Sequence, residues 1–279
     1  MQPRKRKTVK KRNPTPIVII LAVLLLSIAF QITPPGQTLL KRVPHLFHSF
    51  MRVFSQDGAY IPQADAYGLD ISRFQGDIQW DTLPQIHFEP ITRCQRRNGN
   101  IASAPVSFVF AKASEGATHV DPAIDQNRTL VRKLAIPFGA YHVLTLSEPK
   151  EQARNFISNA KLRKGDLTPV IDLEEDILGK YDDNDVIKTV VDVAQRLKKK
   201  YGPTPIIYGS HKYISKLSEK GLPDDYPLWI ARYSTKDRPQ NADIWQFTDC
   251  GTIPGVNHDI DINALFSDRH KLTDYVIRK

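Results

Sequence analysis

From Tyr67 onward the chain alternates short apolar runs with amphipathic stretches. The runs YGLDIS (67–72), SFVFAKA (107–113), FGAYHVL (138–144), TPVIDLE (168–174), PIIYGS (205–210), PLWIARY (227–233), DIWQFT (243–248) and IDINALF (260–266) have the length and side chains of β-strands. Between them, PAIDQNRTLVRKL (122–134), EPKEQARNFISNAKLR (148–163) and DNDVIKTVVDVAQRLKKKYG (183–202) space their apolar residues as helices do. In the last, Val186, Val190, Val193 and Leu197 mark one face, and Gly202 before Pro203 ends the helix. Repeated strand and helix predict an α/β fold on a parallel sheet, open or closed, and eight strands favour closure into a barrel. A complete eightfold α/β barrel takes about 250 residues, and only about 205 are present here, so the last crossovers are expected to be missing. The strands do crowd together from Trp229 to Ile260.

Upstream the pattern changes. Ile17 to Ile32 is apolar except for Ser27 and Gln31 and carries no charge, and it follows a run holding Arg4, Lys5, Arg6, Lys7, Lys10, Lys11 and Arg12. Sixteen helical residues rise about 24 Å, a little short of a hydrocarbon core of roughly 30 Å that the flanks can help to span. An apolar segment flanked by seven cations reads as a membrane segment. The following QITPPGQ offers no small-x-small cleavage pattern, which favours an uncleaved anchor over a cleaved signal. The positive-inside rule then puts residues 1–15 in the cytoplasm and the rest outside it, as a single-pass membrane protein. Residues 33–66 read as a juxtamembrane stalk, either lying on the membrane or packed on the main domain, which spans 67–279. Nothing in the pattern sets the oligomeric state.

The net charge of +9 adds little to this picture, because those seven cations account for most of it and leave +2 for the remainder. A nucleic-acid-binding role for the main domain has no support. Cys94 and Cys250 fall on the oxidising side, where a bridge is allowed, and no C-x-x-C spacing or other metal-ligand pattern occurs. No metal or cofactor is expected.

In barrels and open sheets, functional groups gather at the carboxyl ends of the strands. Those positions hold Asp70; Lys112 and Glu115; Tyr141 and His142; Asp172 and Glu174; Tyr208; Trp229, Arg232 and Tyr233; Trp245 and Gln246; and Asp261 with Asn263. One strand-end Asp is commonly a cap or turn residue, but four acids together weaken that reading. Residues i and i+2 of a strand share a face, so Asp172 and Glu174 project together. Two close carboxylates raise at least one pKa, which provides a general acid near neutral pH. Acids with tryptophans and tyrosines fit sugar chemistry, in which rings stack on pyranoses and paired carboxyls cleave a glycosidic bond. Trp80, Trp229 and Trp245 taken singly also suit a core.

GLDISRFQGDIQW, FAKASEG with VDP, GAYHV, PVIDLEE, LWIARY, IWQF and IPGVNHDIDINALF, in that order, resemble the motifs of glycoside hydrolase family 25, the Chalaropsis-type lysozymes (N-acetylmuramidases). The resemblance covers about Tyr67 to Phe266. It implies a TIM-like barrel of five βα units closed by three further strands, acting on the β-1,4 link between N-acetylmuramic acid and N-acetylglucosamine in peptidoglycan. It also implies Glu174 as proton donor, Asp172 as its partner, Asp70 and Asp261 as further cleft acids, and Tyr141, Trp229, Trp245, Gln246, Lys112 and Glu115 in substrate binding. Two routes follow, neighbouring-group participation by the substrate's 2-acetamido oxygen, which the resemblance favours, or direct inversion by water. A wall-binding scaffold without turnover, or a hydrolase of another N-acetylated glycan, are the alternatives. The sequence departs from the family pattern in the longer stretch 88–104, at His119, at Val143 and Leu144, and at Phe247.

Overall fold

The apolar runs pair into a closed ring. The computed structural model describes residues 61–78, 80, 84–88, 102–233, 235, 237–251, 253–256 and 258–279, all within one unit spanning Asp57–Lys279. The expected cytoplasmic tail, membrane segment and stalk up to residue 60, and Cys94, lie outside the described residues, so the anchor and the disulfide are not addressed by it. Among the described residues no helix is long and apolar enough to cross a membrane.

In chain order the elements are β1 (Ala66–Ile71), β2 (Gln85–Phe88), β3 (Ala102–Glu115), β4 (His119–Val120), α1 (Ile124–Lys133), β5 (Phe138–Val143), α2 (Pro149–Ala160), β6 (Val170–Leu173), α3 (Glu175–Leu178), α4 (Asp183–Tyr201), β7 (Ile206–Ser210), α5 (His211–Glu219), β8 (Leu228–Ala231), β9 (Ile244–Gly251) and β10 (Ile260–Leu265). The ring runs β1-β3-β5-β6-β7-β8-β9-β10 and closes on β1. Its pairings are parallel except those of β10, which runs antiparallel to both β9 and β1. Outside the ring, β2 and β4 each pair antiparallel with β3. Helices follow β3, β5, β6 and β7, which makes four βα units among the described residues; the fifth expected unit would follow β1, where residues 89–101 lie outside them. Between β1 and β3 the described residues hold only a 3-10 turn, Arg73–Gln75, and β2.

Local chemistry accounts for the helices. Asp182 caps α4 by accepting from Asn184 N, and Gly202 ends it at φ 102°. Pro149 opens α2, and Ser210 caps α5. The face Val186, Val190, Val193 and Leu197 is fully buried, each side chain contributing about 1.5–3 kcal/mol of burial.

Strand alternation sorts the apolar residues into two layers. Leu69, Val109, Ala111, Ile171, Ile207, Ile230 and Ile262 join one cluster with residues of the helices. Phe108, Phe110, Val170, Ile206, Trp229, Ile244 and Leu265 form a second, with Tyr275. Phe110 and Trp229 belong to β3 and β8, which are not neighbours in the ring, yet their ring centroids are 5.1 Å apart. They meet across the barrel interior, which the second cluster therefore fills. Glycine makes room for it: a Cβ at Gly68 or Gly139 would lie 2.2 Å from the ring of Phe108 or Phe110, respectively.

Candidate active site

The interior face of each strand changes from apolar to polar as it approaches the carboxyl end. Two residues beyond Gly68 stands Asp70; beyond Phe110, Lys112; beyond Gly139, Tyr141; beyond Val170, Asp172; beyond Ile206, Tyr208; and beyond Ile244, Gln246. Because β10 is antiparallel, its interior series runs in reverse, from Leu265 through Asn263 to Asp261, and Asp261 pairs directly with Asp70. Seven strands thus deliver polar groups to one mouth over an aromatic floor.

Asp70 is held from below. Gln246 Nε2 donates to its two oxygens at 3.0 and 3.2 Å, and Asn263 Nδ2 donates to Oδ1 at 2.7 Å. Gln246 is oriented by Tyr208 and Tyr233, whose hydroxyls donate to its Oε1 at 2.8 and 2.5 Å. Asn263 is oriented by the buried Trp229, whose Nε1 donates to Oδ1 at 2.7 Å. Burial raises the Asp70 pKa above the usual carboxyl value, and these donors pull it partly back. Asp261, opposite Asp70 in the β1–β10 pairing, lowers that pKa as well.

Asp172 and Glu174 sit differently. Asp172 is 4% exposed, and its Oδ1 has no hydrogen-bond partner among the described residues. Burial pushes its pKa well above the carboxylate range, the charges of Glu174, Asp70 and Glu115 push it further, and Lys112 opposes them. Glu174 lies one residue past β6 with an extended backbone (φ −81°, ψ 116°), so it keeps the strand's alternation with Asp172 and reaches the mouth exposed. The sequence pattern identifies the pair. Which member is buried is a property of the fold.

Around them, Tyr141 is half-buried, and its hydroxyl is held protonated by burial and by the charges of Asp70, Asp172, Asp261 and Asp121. It stands as a neutral donor among the acids. Lys112 is buried and donates to Glu115 at 2.8 Å, bringing both expected residues together beside the acids. Among the described residues no group of three or more His, Cys, Asp or Glu is arranged to hold a metal ion.

Two of the expected residues are placed otherwise. Trp245 does not line the mouth: alternation on β9 turns it away from its neighbour Gln246, onto the outer face of the barrel. There it is 1% exposed, packs against Phe247, and donates from Nε1 to Arg232 O at 2.7 Å. Trp229 faces inward but lies beneath the mouth, packed on Phe110 and Tyr208, so it supports the floor rather than offering an open ring. His142 is likewise on the outer face, between Ser114 Oγ and Gln152 Oε1, and burial lowers its pKa to about 4. Glu175 and Asp176, directly after Glu174, begin α3. Asn263, Tyr208 and Tyr233 stand at predicted strand ends, but their place in the site follows only from the contacts through Gln246 and Trp229.

Comparison with known proteins gives the same reading of this arrangement. The pattern of glycosyl hydrolases family 25 matches residues 69–256. Protein YegX of Escherichia coli K12 is 32% identical over 216 residues, 75% of this chain and 73% of its own. Lysozyme M1 of Streptomyces globisporus is 26% identical over 212 residues, 70% of this chain and 66% of its own. The structure of a family 25 glycosyl hydrolase from Bacillus anthracis, 26% identical, superposes with a TM-score of 0.61 over 77% of this chain and 95% of that one. Barrel, acid cluster and matched length agree, and the chain belongs to glycosyl hydrolases family 25 as a glycoside hydrolase of the lysozyme class.

Proposed function

We propose that the protein is a membrane-tethered muramidase that cleaves the β-1,4 bond between N-acetylmuramic acid and N-acetylglucosamine in peptidoglycan, with the substrate's own acetamido group as nucleophile. The observation that carries this reading is the unequal burial of the acid pair: Asp172 sits deep with a free oxygen, and Glu174 stands exposed beside it. In the substrate-free protein, burial favours the proton on Asp172. An acetamido N–H donating to the free Asp172 oxygen stabilises the carboxylate, while a sugar covering Glu174 removes it from water, so the proton passes to Glu174.

The step then balances. The acetamido oxygen bonds to the anomeric carbon, the glycosidic C–O bond breaks, and Glu174 gives its proton to the leaving oxygen. Water next attacks the anomeric carbon, Glu174 takes its proton, and the ring formed with the acetamido oxygen opens. Asp172, as carboxylate, stabilises the positive charge of the intermediate, and Tyr141 is placed to donate to sugar oxygens. The apolar segment 17–32 supports a tether that confines cutting to wall lying near the membrane, with the barrel on the extracytoplasmic side.

The test is incubation of the full chain with purified peptidoglycan, followed by identification of the new ends. Muramic acid at new reducing ends is expected, with release falling at least about 10²-fold in Glu174→Gln. Binding to the wall with no release by the wild-type chain would overturn the proposal.

A further inference from the structure

Among the described residues, apolar exposure is concentrated at the barrel mouth. Phe74 (65% exposed), Tyr181 (43%) and Val120 (37%) are the large hydrophobic side chains that stand exposed among the described residues. Each lies beyond the carboxyl end of a barrel strand: Phe74 four residues after Asp70, Tyr181 seven after Glu174, and Val120 in β4, folded back on the end of β3. Solvent-facing aromatic and aliphatic groups confined to the rim of a cleft are positioned for ligand contact.

Phe74 and Val120 lie on neighbouring segments, since β1 and β3 pair in the barrel and Arg73 bridges from one to the other. The Arg73 guanidinium lies over the Phe74 ring, 4.7 Å from its centroid, and its Nη1 donates to His119 Nε2 at 3.1 Å. The segment is fixed rather than loose: Ser72 and Gln75 form a reciprocal cap on the 3-10 turn, and the Arg73 N–H donates to the buried Asp121. The guanidinium itself pairs with no carboxylate among the described residues. An exposed arginine held in place by an aromatic ring and an imidazole, three residues past a cleft acid, keeps donors open for an incoming anion.

We infer that Arg73, Phe74, His119 and Val120 form a subsite that takes a sugar carrying a carboxylate substituent, with the apolar face of the sugar or its acyl chain on Phe74 and Val120 and the carboxylate on Arg73. This rests on the proposed muramidase reading, and it names the part of the polymer that meets the β1 side of the cleft: the muramyl unit with its acidic stem. An arginine that only braces the rim would serve charged and uncharged glycans alike. One that reads a carboxylate distinguishes them.

The experiment compares native peptidoglycan with the same material after its carboxylates have been converted to methylamides, using the full chain and its Arg73→Gln, Arg73→Lys and Phe74→Ala variants. The wild-type chain should lose about 10-fold in kcat/KM on the amidated polymer, chiefly through KM, the size of one exposed charge-assisted contact. Arg73→Gln should show that lower value on both substrates, Arg73→Lys should recover part of the difference, and Phe74→Ala should weaken both equally. Arg73→Gln falling by the same factor on both substrates, or not falling on the native one, would overturn the inference. If the wild-type chain released no ends from either polymer, the muramidase reading would fail instead, so the two failures are distinct.

Discussion

Asp172→Asn should make the protein more stable at high pH while removing its activity. The carboxyl is 4% exposed with one oxygen unpartnered, and burial raises its pKa well above 3.8. A carboxyl whose native pKa is raised contributes stability that is fully present below the unfolded value and is lost as pH rises through the native one. At pH 4 Asp172 is protonated in the folded chain, and the asparagine should change little. At pH 8 the wild type must either bury that charge or hold a proton that the unfolded chain releases, and the amide does neither. Leaving such a group unsatisfied costs about 1–3 kcal/mol. For a unit of about 220 residues each kcal/mol moves Tm by about 2–4 °C, so a rise of about 6 °C is expected at pH 8, shrinking toward zero at pH 4. Thermal denaturation followed by circular dichroism at both pH values, beside turnover on peptidoglycan, reads both effects. A variant less stable than wild type at pH 8, or equally stabilised at both pH values, would refute the reasoning.

Other expectations follow from the same contacts. Trp229→Phe removes the donor to Asn263 and leaves a buried amide oxygen unsatisfied, so it should cost about 1–3 kcal/mol in urea denaturation and lower kcat by loosening Asp70. Trp245→Phe, on the outer face, should lower stability with KM unchanged; a raised KM would return that side chain to the cleft. Gly139→Ala drives a methyl against the Phe110 ring at 2.2 Å and should destabilise by about 1–3 kcal/mol, with the chevron or equilibrium midpoint as readout.

Much of this architecture is legible before any coordinates. All eight barrel strands coincide with the predicted runs to within two residues, except at the start of β3 and the end of β9, because buried parallel strands are continuous apolar stretches bounded by turn residues. β3 extends back to Ala102 because β2 pairs along it, a long-range contact with no local signal. The nine-residue α5 and the single turn of α3 are too short for a helical period to emerge. The four acids are readable as strand-end residues. Trp245 illustrates the limit: it is adjacent to Gln246, and alternation allows only one of them into the cleft, but choosing which requires the inward face of β9 to be known. The carboxyl that is buried is likewise hidden in the sequence, since DLE places Asp172 and Glu174 on one face and says nothing of depth. The path from Trp229 through Asn263 to Asp70 joins three strands and exists only once the ring has closed.

The account turns on the acid pair working with the substrate's acetamido group, and the anomeric configuration of the first product tests that most directly. Proton NMR of the freshly released muramyl reducing end, recorded before mutarotation, should show the β anomer, retained through two displacements, with the signal lost in Glu174→Gln. An α anomer formed first, or undiminished release by Glu174→Gln, would contradict the account.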